Sequence, residues 1–365
     1  MAGLLLSQEA SALVSIDDRK NQLFVNANVT YTWDSNIYSI RDGASDGIYS
    51  ASVGVEVIRR AGLIGVNGSV NLDVSSFVEN AEENFQNPRF SLEFTKQSGR
   101  TTGSLLLSAA RQSRADSAAN LRSESWIYET GLNLKYPVIE RYSLSGGVGY
   151  SLRDFKDNSM LVDLATYSAN LDLFYVYNTE RDLIAGYRIR YGETSARNSF
   201  FDHAFTVGVS GKVLPKLSGT FRIGYQIRVP NNSIDESHNS LTVTSGVSWN
   251  LSKKTKIGLN LSKDFTTTST NATVDATSIM LHAQHAVNSK VSLSVGGSYG
   301  INRFLGRAGG GRIDEFVTFD VGVNYAILRE LLTLNAGYSY LYNWSNFRFS
   351  NFERNSITVS ASTRF

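Results

Sequence analysis

The sequence contains no cysteine, only 4 prolines among 365 residues, and no apolar run of the roughly 18 residues that a membrane helix needs. Without cysteine, zinc–thiolate sites, disulfides and thiol chemistry are excluded. The mean hydropathy of −0.17 also excludes a bundle of membrane helices. The formal net charge is +2, so the composition does not indicate a nucleic-acid partner. No Pro/Ser-rich linker or shift in composition marks a domain boundary.

Apolar and polar side chains alternate with a period of two along nearly the whole chain. In the first segment, Val25, Ala27 and Val29 alternate with Asn26 and Asn28. This period is typical of a β-strand with one apolar and one polar face. About eighteen segments show it, at roughly 23–33, 47–58, 63–77, 88–97, 101–113, 125–137, 141–153, 164–177, 182–194, 201–213, 217–229, 239–251, 255–265, 275–287, 290–303, 314–327, 331–343 and 355–365. Most span roughly 10–15 residues, which favours bilayer-spanning strands (about 9–11 residues) over soluble strands (about 5–6).

The connections between these segments alternate between tight turns and longer polar loops. Ser98-Gly99 and Asn288-Ser289 are predicted to be tight turns, whereas Asp34–Asp46 and Arg114–Ser123 are predicted to be loops. Bacterial outer-membrane barrels have short periplasmic turns and longer external loops. With an even number of strands, both termini are expected in the periplasm.

Aromatic residues gather near the ends of the predicted strands, at Tyr31, Trp33, Trp126, Tyr150, Tyr191, Tyr340 and Tyr342 for one end and at Tyr136, Tyr142, Tyr177, Trp249, Tyr325 and Phe365 for the other. Two aromatic belts that flank an aliphatic band are typical of membrane barrels. In the alternative, a large β-sandwich, such residues would be core residues with no reason to gather at strand ends.

Within lipid every backbone polar group must be paired, so strands of this kind must form a closed sheet. We therefore predict that residues 23–365 form an all-β, transmembrane, antiparallel up-and-down barrel of about 18 strands. The predicted location is the bacterial outer membrane, with its lipid and lipopolysaccharide as surroundings. Barrels of 16–18 strands leave an aqueous lumen. Because no loop exceeds roughly 13 residues, a deep constriction loop is not expected.

Residues 1–22 precede the alternating pattern and are predicted to be a leader in the periplasm or in the lumen. Leu4–Leu13 could form a short helix there, or the leader could be a disordered tail. The first seven residues lack the basic segment and the longer apolar run of a secretory signal peptide. Since an outer-membrane barrel must be exported, we expect a signal peptide to have been removed from this numbering.

Alternation assigns charged residues to the lumen face in two groups. The basic group is Arg153, Arg188, Arg190, Lys212, Arg222 and Arg228. The acidic group, on earlier segments, is Glu56, Asp73, Glu93 and Glu129. Opposed walls of charge would set up a transverse field that orients ionic or dipolar solutes. Alternatively, the charges only keep the lumen hydrated. Inward glycines at 186, 192 and 224 would leave room beside the arginines for a solute, or would merely relax the curvature of the sheet.

Nothing in the sequence predicts catalysis, a metal site or a cofactor. His282 and His285 face opposite sides of a strand, and His203 and His238 have no partner at ligand spacing. Gly309–Gly311 has no strand–helix context and is predicted to be an outer loop rather than a phosphate loop.

The segment Tyr31-Thr-Trp-Asp-Ser-Asn-Ile-Tyr38 resembles the entry segment of a family of bacterial outer-membrane β-barrel porins. The turn at Arg59-Arg-Ala-Gly62 and the final Phe365 are also similar to that family. Several of its members are associated with exopolysaccharide export, so the resemblance implies a barrel that acts in surface-polysaccharide secretion. It implies no functional residues. Asp34, Ser35 and Asn36 would also suit a purely structural turn.

Two functions follow as hypotheses. In the first, the protein is a channel that passes an anionic polysaccharide or a small hydrophilic solute along the basic wall, with periplasmic export components as partners. In the second, it is a non-conducting structural or docking barrel whose lumen is filled by residues 1–22 or by a partner. An outer-membrane hydrolase would require a nucleophile and a base that the sequence does not supply.

The alternating pattern makes a prediction that does not require the structure. We expect the purified protein to need detergent to remain monodisperse, because the apolar face of each strand meets lipid. Its circular dichroism should show β-sheet with little helix. A monodisperse, detergent-free preparation, or a strongly helical spectrum, would contradict the barrel.

Overall fold

The computed structural model describes residues 13–16, 20–60, 62–156, 160–231, 236–306, 310–328 and 331–365. In these ranges nineteen strands form one antiparallel sheet. They are β1 (Val14–Ile16), β2 (Asn21–Asp34), β3 (Asp46–Arg59), β4 (Gly65–Phe77), β5 (Phe85–Lys96), β6 (Thr102–Asp116), β7 (Leu121–Ile139), β8 (Tyr142–Phe155), β9 (Leu164–Asn178), β10 (Arg181–Thr194), β11 (Ser199–Leu214), β12 (Leu217–Pro230), β13 (His238–Trp249), β14 (Thr255–Thr267), β15 (Thr273–Ala286), β16 (Val291–Leu305), β17 (Ile313–Leu328), β18 (Leu332–Ser345) and β19 (Phe352–Arg364). Two 3-10 turns lie in the connections, at Ala81–Glu83 and Arg348–Ser350. Among the described residues, no helix is both long and apolar enough to span a membrane.

The sheet is closed because the last strand pairs with the first long one. β19 runs antiparallel to β2, from Ser356 opposite Asp34 to Arg364 opposite Asn26. Each of the other long strands pairs with its neighbours in the chain, which makes β2 to β19 an up-and-down ring. The predicted all-β antiparallel barrel of about 18 strands is confirmed.

The short strand β1 lies beside the end of β19, within the predicted leader. Phe365 exchanges two backbone hydrogen bonds with Val25 of β2, each 2.9 Å long. Next along β2, Leu23 pairs with Val14 of β1. β1 therefore covers the edge of β2 that β19 leaves free, so part of residues 1–22 extends the barrel sheet. The helix or disordered tail predicted for Leu4–Leu13 falls almost entirely on residues 1–12, which lie outside the described residues.

Tight turns lie at one end of the barrel and most of the longer connections at the other. At the first end, residues 140–141, 179–180 and 215–216 each join two strands. At the second end, residues 35–45 and 156–163 form two of the longer connections. This is the arrangement that the sequence predicted, and it separates a turn end from a loop end.

The β6–β7 connection is shorter than the predicted loop Arg114–Ser123. β6 continues to Asp116 and β7 begins at Leu121, so only residues 117–120 join them. Asp116 Oδ1 accepts a hydrogen bond from the backbone N–H of Ala118 at 3.0 Å, and Asn120 adopts a φ of 55°. An aspartate that caps its own turn and an asparagine in the left-handed region reverse the chain within four residues.

The apolar face of the strands points away from the lumen. Val29 and Val53, for example, are each more than half exposed on that face. Aromatic rings pair across strands near the loop end, with centroids 4.9 Å apart for Tyr150 and Tyr167 and 6.1 Å apart for Tyr167 and Tyr191. Outward aliphatic residues with an aromatic rim are what a lipid environment favours.

The segment Asp34-Ser35-Asn36 fastens the loop end of the β2–β19 seam. Arg354 Nε donates to Asp34 Oδ2 at 2.9 Å, and the backbone N–H of Asn355 donates to Ser35 Oγ at 2.7 Å. Asp34 Oδ1 also accepts from the backbone N–H of Asn36 at 2.9 Å, and its side chain is 1% exposed. The predicted local turn is present, and the same residues tie the first barrel strand to the last.

Replacement of Asp34 by Asn should weaken the seam, because the charge opposite Arg354 is lost in a buried position. Hydrogen bonds to charged groups contribute about 1.5–3 kcal/mol, so we expect the free energy of unfolding to fall by about 2 kcal/mol. Denaturant unfolding in detergent, followed by tryptophan fluorescence, would measure it. Asp42→Asn is the matched control in the same loop: Asp42 is 90% exposed, 3.6 Å from Arg41, and should contribute little. Equal losses in both variants would contradict the role of Asp34.

Candidate functional site

The arginines predicted to form a basic wall are mostly neutralised by aspartates on nearby strands. Arg222 of β12 places Nη1 2.6 Å from Oδ1 of Asp172 on β9. Its side chain lies across Gly186 of β10, where an added Cβ would be 2.2 Å from Asp172 Oδ1. A side chain at position 186 would have to displace these groups, so Gly186 leaves room for the ion pair, which follows the lumen wall across intervening strands.

Two further arginines, both on β10, share a carboxylate that belongs to β14. Arg188 Nη2 and Arg190 Nη2 lie 2.8 Å and 3.0 Å from Asp264 Oδ1. Arg190 is also 2.9 Å from Asp202 of β11. Four strand positions separate β10 from β14 around the ring, so this contact requires β14 to leave the wall.

The loop-end tip of the β14–β15 hairpin does leave the wall. Pairing between β13 and β14 stops at Val243 opposite Lys263, although β13 continues to His238 and β14 to Thr267. Within the hairpin, pairing continues to Thr267 opposite Thr273. The tip, defined here as residues 264–273, is therefore an intact hairpin that has separated from β13 and extends over the inner face of β10 to β12.

Arginine side chains hold the tip where strand pairing has ended. Arg228 Nη1 donates to the backbone carbonyl of Thr266, and Arg190 Nη2 donates to that of Phe265, each at 3.0 Å. The hydroxyl of Thr242 on β13 donates to the carbonyl of Lys263 at 3.0 Å. Buried backbone groups that lose strand pairing need such replacements, because an unpaired buried carbonyl is destabilising.

Arg228 is the centre of this contact. Its side chain is 2% exposed and forms two hydrogen bonds to Asp202, at 2.7 and 2.8 Å. The guanidinium lies over the ring of Phe200 at 3.8 Å and near that of Phe265 at 5.5 Å. Phe265 is 1% exposed although it shares a face of β14 with Leu261, which pairs with the lipid-exposed Ile279. The separation of the tip from the wall converts a lipid-facing position into a buried one.

The tip meets other connections at the loop end of the barrel. Its residue Ser269 accepts a backbone hydrogen bond from Val162, in the β8–β9 connection, at 2.8 Å. Its residue Asn271 accepts from the hydroxyl of Thr194 at the end of β10, at 3.1 Å. Hydrogen bonds therefore cross from the tip to the β8–β10 side of the mouth.

A second bridge spans the mouth from nearly opposite positions of the ring. Arg312, before β17, donates to the backbone carbonyls of Ser117 and Ala118 in the β6–β7 turn, at 2.8 and 3.2 Å. Ala118 also packs against the buried apolar cluster of Ala272, Val274 and Phe304. Together with the tip, this bridge closes much of the loop-end mouth with hydrogen-bonded backbone.

The β2–β3 connection is held over the same mouth by Arg122 of β7. Arg122 donates to the carbonyl of Ile37 and to Glu83, each at 2.9 Å, and Ile37 is completely buried. In this connection burial raises the pKa of Tyr38, and the neighbouring Glu83 carboxylate raises it further. Tyr38 therefore remains neutral throughout the physiological pH range.

The remaining members of the predicted walls are placed differently. Lys212 pairs with Glu180 at 2.7 Å near the turn end, and this hydrogen bond lowers the pKa of Glu180. Of the acidic group, Glu56 pairs with Arg364 and Asp73 with Arg89, both at 2.8 Å, whereas Glu93 and Glu129 form no ion pair with any described residue. Arg153 likewise has no carboxylate partner among the described residues.

The structure therefore shows ion pairs where the sequence analysis expected two separate walls of charge. The aspartates responsible, at positions 172, 202 and 264, were not among the predicted residues, although alternation places them on the lumen face. Alternation alone could therefore have identified these aspartates as lumen residues. The approach of Asp264 to β10 could not be found in this way, since it depends on the separation of β14 from β13. Among the described residues, no three or more His, Asp or Glu side chains form a candidate metal site.

This architecture, a closed antiparallel barrel with a lipid-facing apolar surface and a charged lumen, is that of an outer-membrane porin. Residues 192–365 match the model of a family described as "Putative beta-barrel porin 2". The matched range excludes residues 31–62, on which most of the family resemblance was based. None of the curated proteins matches the chain.

Solved outer-membrane porins share the fold at low sequence identity. OpdK of Pseudomonas aeruginosa, solved with vanillate, is 12% identical with a TM-score of 0.53, and the match covers 94% of this chain and 99% of that one. OccK2 (OpdF) of the same organism, solved with glucuronate, is 14% identical with a TM-score of 0.52 and coverage of 96% and 100%. OccAB4 of Acinetobacter baumannii is 13% identical with a TM-score of 0.52 and coverage of 95% and 98%. The barrel fold and the family match imply an outer-membrane location.

Replacement of Arg228 by Gln should release the tip. The buried Asp202 would lose its partner, and breaking a buried ion pair in this way costs about 3 kcal/mol or more. Hydrogen exchange in detergent, followed by mass spectrometry, should accelerate at least about tenfold in peptides that cover residues 264–273. Arg89→Gln is the control, because Arg89 forms an exposed pair with Asp73 on another part of the wall. Unchanged exchange of the tip in Arg228→Gln would show that Arg228 does not hold it.

Proposed function

We propose that this protein is an outer-membrane channel for small anionic hydrophilic solutes, and that this structure has its outer mouth closed. The observation that carries the proposal is the β14–β15 tip, which is held inside a charged lumen by hydrogen bonds and ion pairs. Polar contacts of this kind can be replaced by contacts with an ionic solute, unlike a continuous apolar plug. The separated tip restricts the lumen, although no connection is long enough to form a constriction loop.

The solute class is supported by the arginines around the tip and by the structural relatives. Vanillate and glucuronate, the molecules solved with OpdK and OccK2, are both organic carboxylates. In this protein, Arg188, Arg190 and Arg228 already bind the carboxylates of Asp202 and Asp264. A carboxylate solute would compete with these aspartates for the same guanidinium groups, so its arrival would weaken the hold on the tip.

Export of an anionic polysaccharide, the function implied by the family resemblance, would use the same lumen with a more widely opened mouth. An extended chain of uronic acid units would require the tip and the bridge from Arg312 to the β6–β7 turn to separate together. Periplasmic export components would then supply the polymer from the turn end. Small anions and a polysaccharide chain need openings of different size, and an experiment can measure that size.

The bridged mouth also favours a second candidate, a non-conducting structural or docking barrel. In that case the contacts of Val162 with Ser269 and of Arg312 with Ser117 would be permanent. A docking barrel would present its loop end as a fixed surface, and removal of the tip would not be needed for its function.

Shortening the tip separates these functions. Replacing residues 265–275 by Asn-Gly joins Asp264 to Ala276, which already face each other in the β14–β15 ladder. In planar bilayers, we expect this variant to conduct at least about fivefold more current than the wild type, with preference for anions, because the lumen retains its arginines. The shift in reversal potential under a salt gradient would measure the preference, and exclusion of sized neutral polymers would measure the opening.

The control shortens a hairpin at the turn end in the same way, with Asn-Gly in place of residues 97–102 between the paired Lys96 and Gly103. Its conductance should equal that of the wild type. Silent bilayers for all three proteins would reject the channel and support the docking barrel. An opening that excludes polymers of oligosaccharide size would reject polysaccharide export while leaving the small-solute channel in place.

A further inference from the structure

Arg153 differs from the arginines of β10 and β12 because it has no carboxylate partner among the described residues, although an end nitrogen of its guanidinium is unsatisfied. Its Nε donates to Ser125 Oγ at 3.2 Å, and its guanidinium lies over the ring of Phe155 at 4.5 Å. Its Nη2 is buried and has no hydrogen-bond partner among the described residues. Buried polar groups are nearly always satisfied in folded proteins, so this donor, together with the missing carboxylate partner, marks a position that a ligand from the lumen can fill.

The neighbours of Arg153 on the inner face of β6 and β7 also have polar groups that lack hydrogen-bond or ion-pair partners among the described residues. Ser123 is 7% exposed, and its hydroxyl has no hydrogen-bond partner in the described ranges. Arg114 lies opposite Ser123 in the β6–β7 ladder and forms no ion pair with a described residue. Gln112 lies opposite Ser125, and its Oε1 is buried without a partner in the part of the chain that the structure describes. The two ends of an amide can be exchanged by rotation, which would present a donor instead.

The carboxylates near this cluster already accept hydrogen bonds from the backbone. Arg114 and Asp116 are the charged groups that act on Arg153 through space. The Asp116 carboxylate already accepts hydrogen bonds from the backbone of the β6–β7 turn, at 3.0 and 3.3 Å. Asp163, in the β8–β9 connection, likewise accepts from the backbone N–H of Phe155 at 2.8 Å. Both carboxylates are thus occupied by backbone donors, and neither forms an ion pair with Arg153 or Arg114 among the described residues.

The other nearby carboxylates, those of Glu129 and Glu124, do not pair with Arg153 or Arg114 either. Glu129 lies further toward the turn end on the same face of β7 and forms no ion pair with any described residue. Glu124 lies on the opposite face of β7 and pairs with Arg111. Among the described residues, the unsatisfied donors of Arg153 and Ser123 are therefore left for a molecule that enters from the lumen.

We infer that Arg153, Arg114 and Ser123 form a binding subsite for the carboxylate group of an anionic solute. A guanidinium binds a carboxylate through two parallel N–H donors, and the Ser123 hydroxyl would add a third. The arginines of β10 and β12 are less suited to this role, because aspartates already occupy them. The inference rests on the proposed channel for anionic solutes and identifies where such a solute meets guanidinium groups that have no carboxylate partner among the described residues.

The test is calorimetric titration of the full chain in detergent with glucuronate, a measurement that does not require an open mouth. We expect Arg153→Gln to weaken binding at least about tenfold and Ser123→Ala about threefold, since a charged and a neutral donor are removed respectively. Glucose, which lacks the carboxylate, should not bind. Inorganic sulfate should compete with glucuronate, because it presents the same oxyanion chemistry without a sugar.

Lys135→Gln is the matched control. Lys135, on β7, is another lumen cation without a carboxylate partner among the described residues; it lies near the turn end and over the ring of Phe174 at 4.5 Å. Its removal lowers the lumen charge by the same amount, so binding within about twofold of the wild type is expected if position matters more than total charge. An equal loss in Arg153→Gln and Lys135→Gln would overturn the subsite.

Two further outcomes would overturn it: no binding of glucuronate by the wild type, or unchanged affinity in Arg153→Gln. If Arg153→Gln does not fold, as judged by heat-modifiable mobility on gels, Arg153→Lys decides the question. Lysine keeps the charge but loses the two-pronged donor, so affinity equal to that of the wild type would reject the proposed geometry. Silent bilayers combined with Arg153-dependent binding would reject the channel alone, so the two failures are distinguishable.

Discussion

Complete pairing of backbone hydrogen-bonding groups is the constraint on which the rest of this structure depends. In lipid no water is present to satisfy a free strand edge, so the sheet must close. The β2–β19 seam accomplishes this, with Phe365 bonded to Val25 at one end and Asp34 bonded to Arg354 at the other. Where β19 ends, β1 pairs with the remaining edge of β2. Closure also fixes which side chains face lipid and which face the lumen.

The same constraint explains the composition of the lumen around the β14–β15 tip. Separation of β14 from β13 interrupts a ladder, and arginine and threonine side chains then donate to backbone carbonyls of the separated strand. Arginine suits this task because its five donors reach a carboxylate and a carbonyl at once. Arg228 does both, to Asp202 and Thr266. Arginines that the sequence analysis assigned to solute selection thus also stabilise the wall.

Alternation along the chain was enough to predict the strands, their antiparallel order and the two kinds of connection. It also placed the charged residues on the lumen face, since side-chain direction in a strand follows from residue number alone. It did not predict which charges are neutralised. Arg188 and Asp264 are 76 positions apart in sequence, and they meet only because a hairpin tip crosses three other strands. Contacts between strands likewise decide that Arg222 pairs with an aspartate whereas Arg153 retains an unsatisfied donor.

The sequence by itself determined the all-β class, the closed barrel of about 18 strands and the division into a lipid face and a lumen face. These properties are local and periodic, and about ten residues of each strand are enough to show them. The tertiary structure alone decided where β13 and β14 separate, which connections meet across the mouth and which guanidinium groups remain free. Those outcomes depend on contacts between strands on different sides of the ring, and no period in the sequence encodes a distance across a lumen.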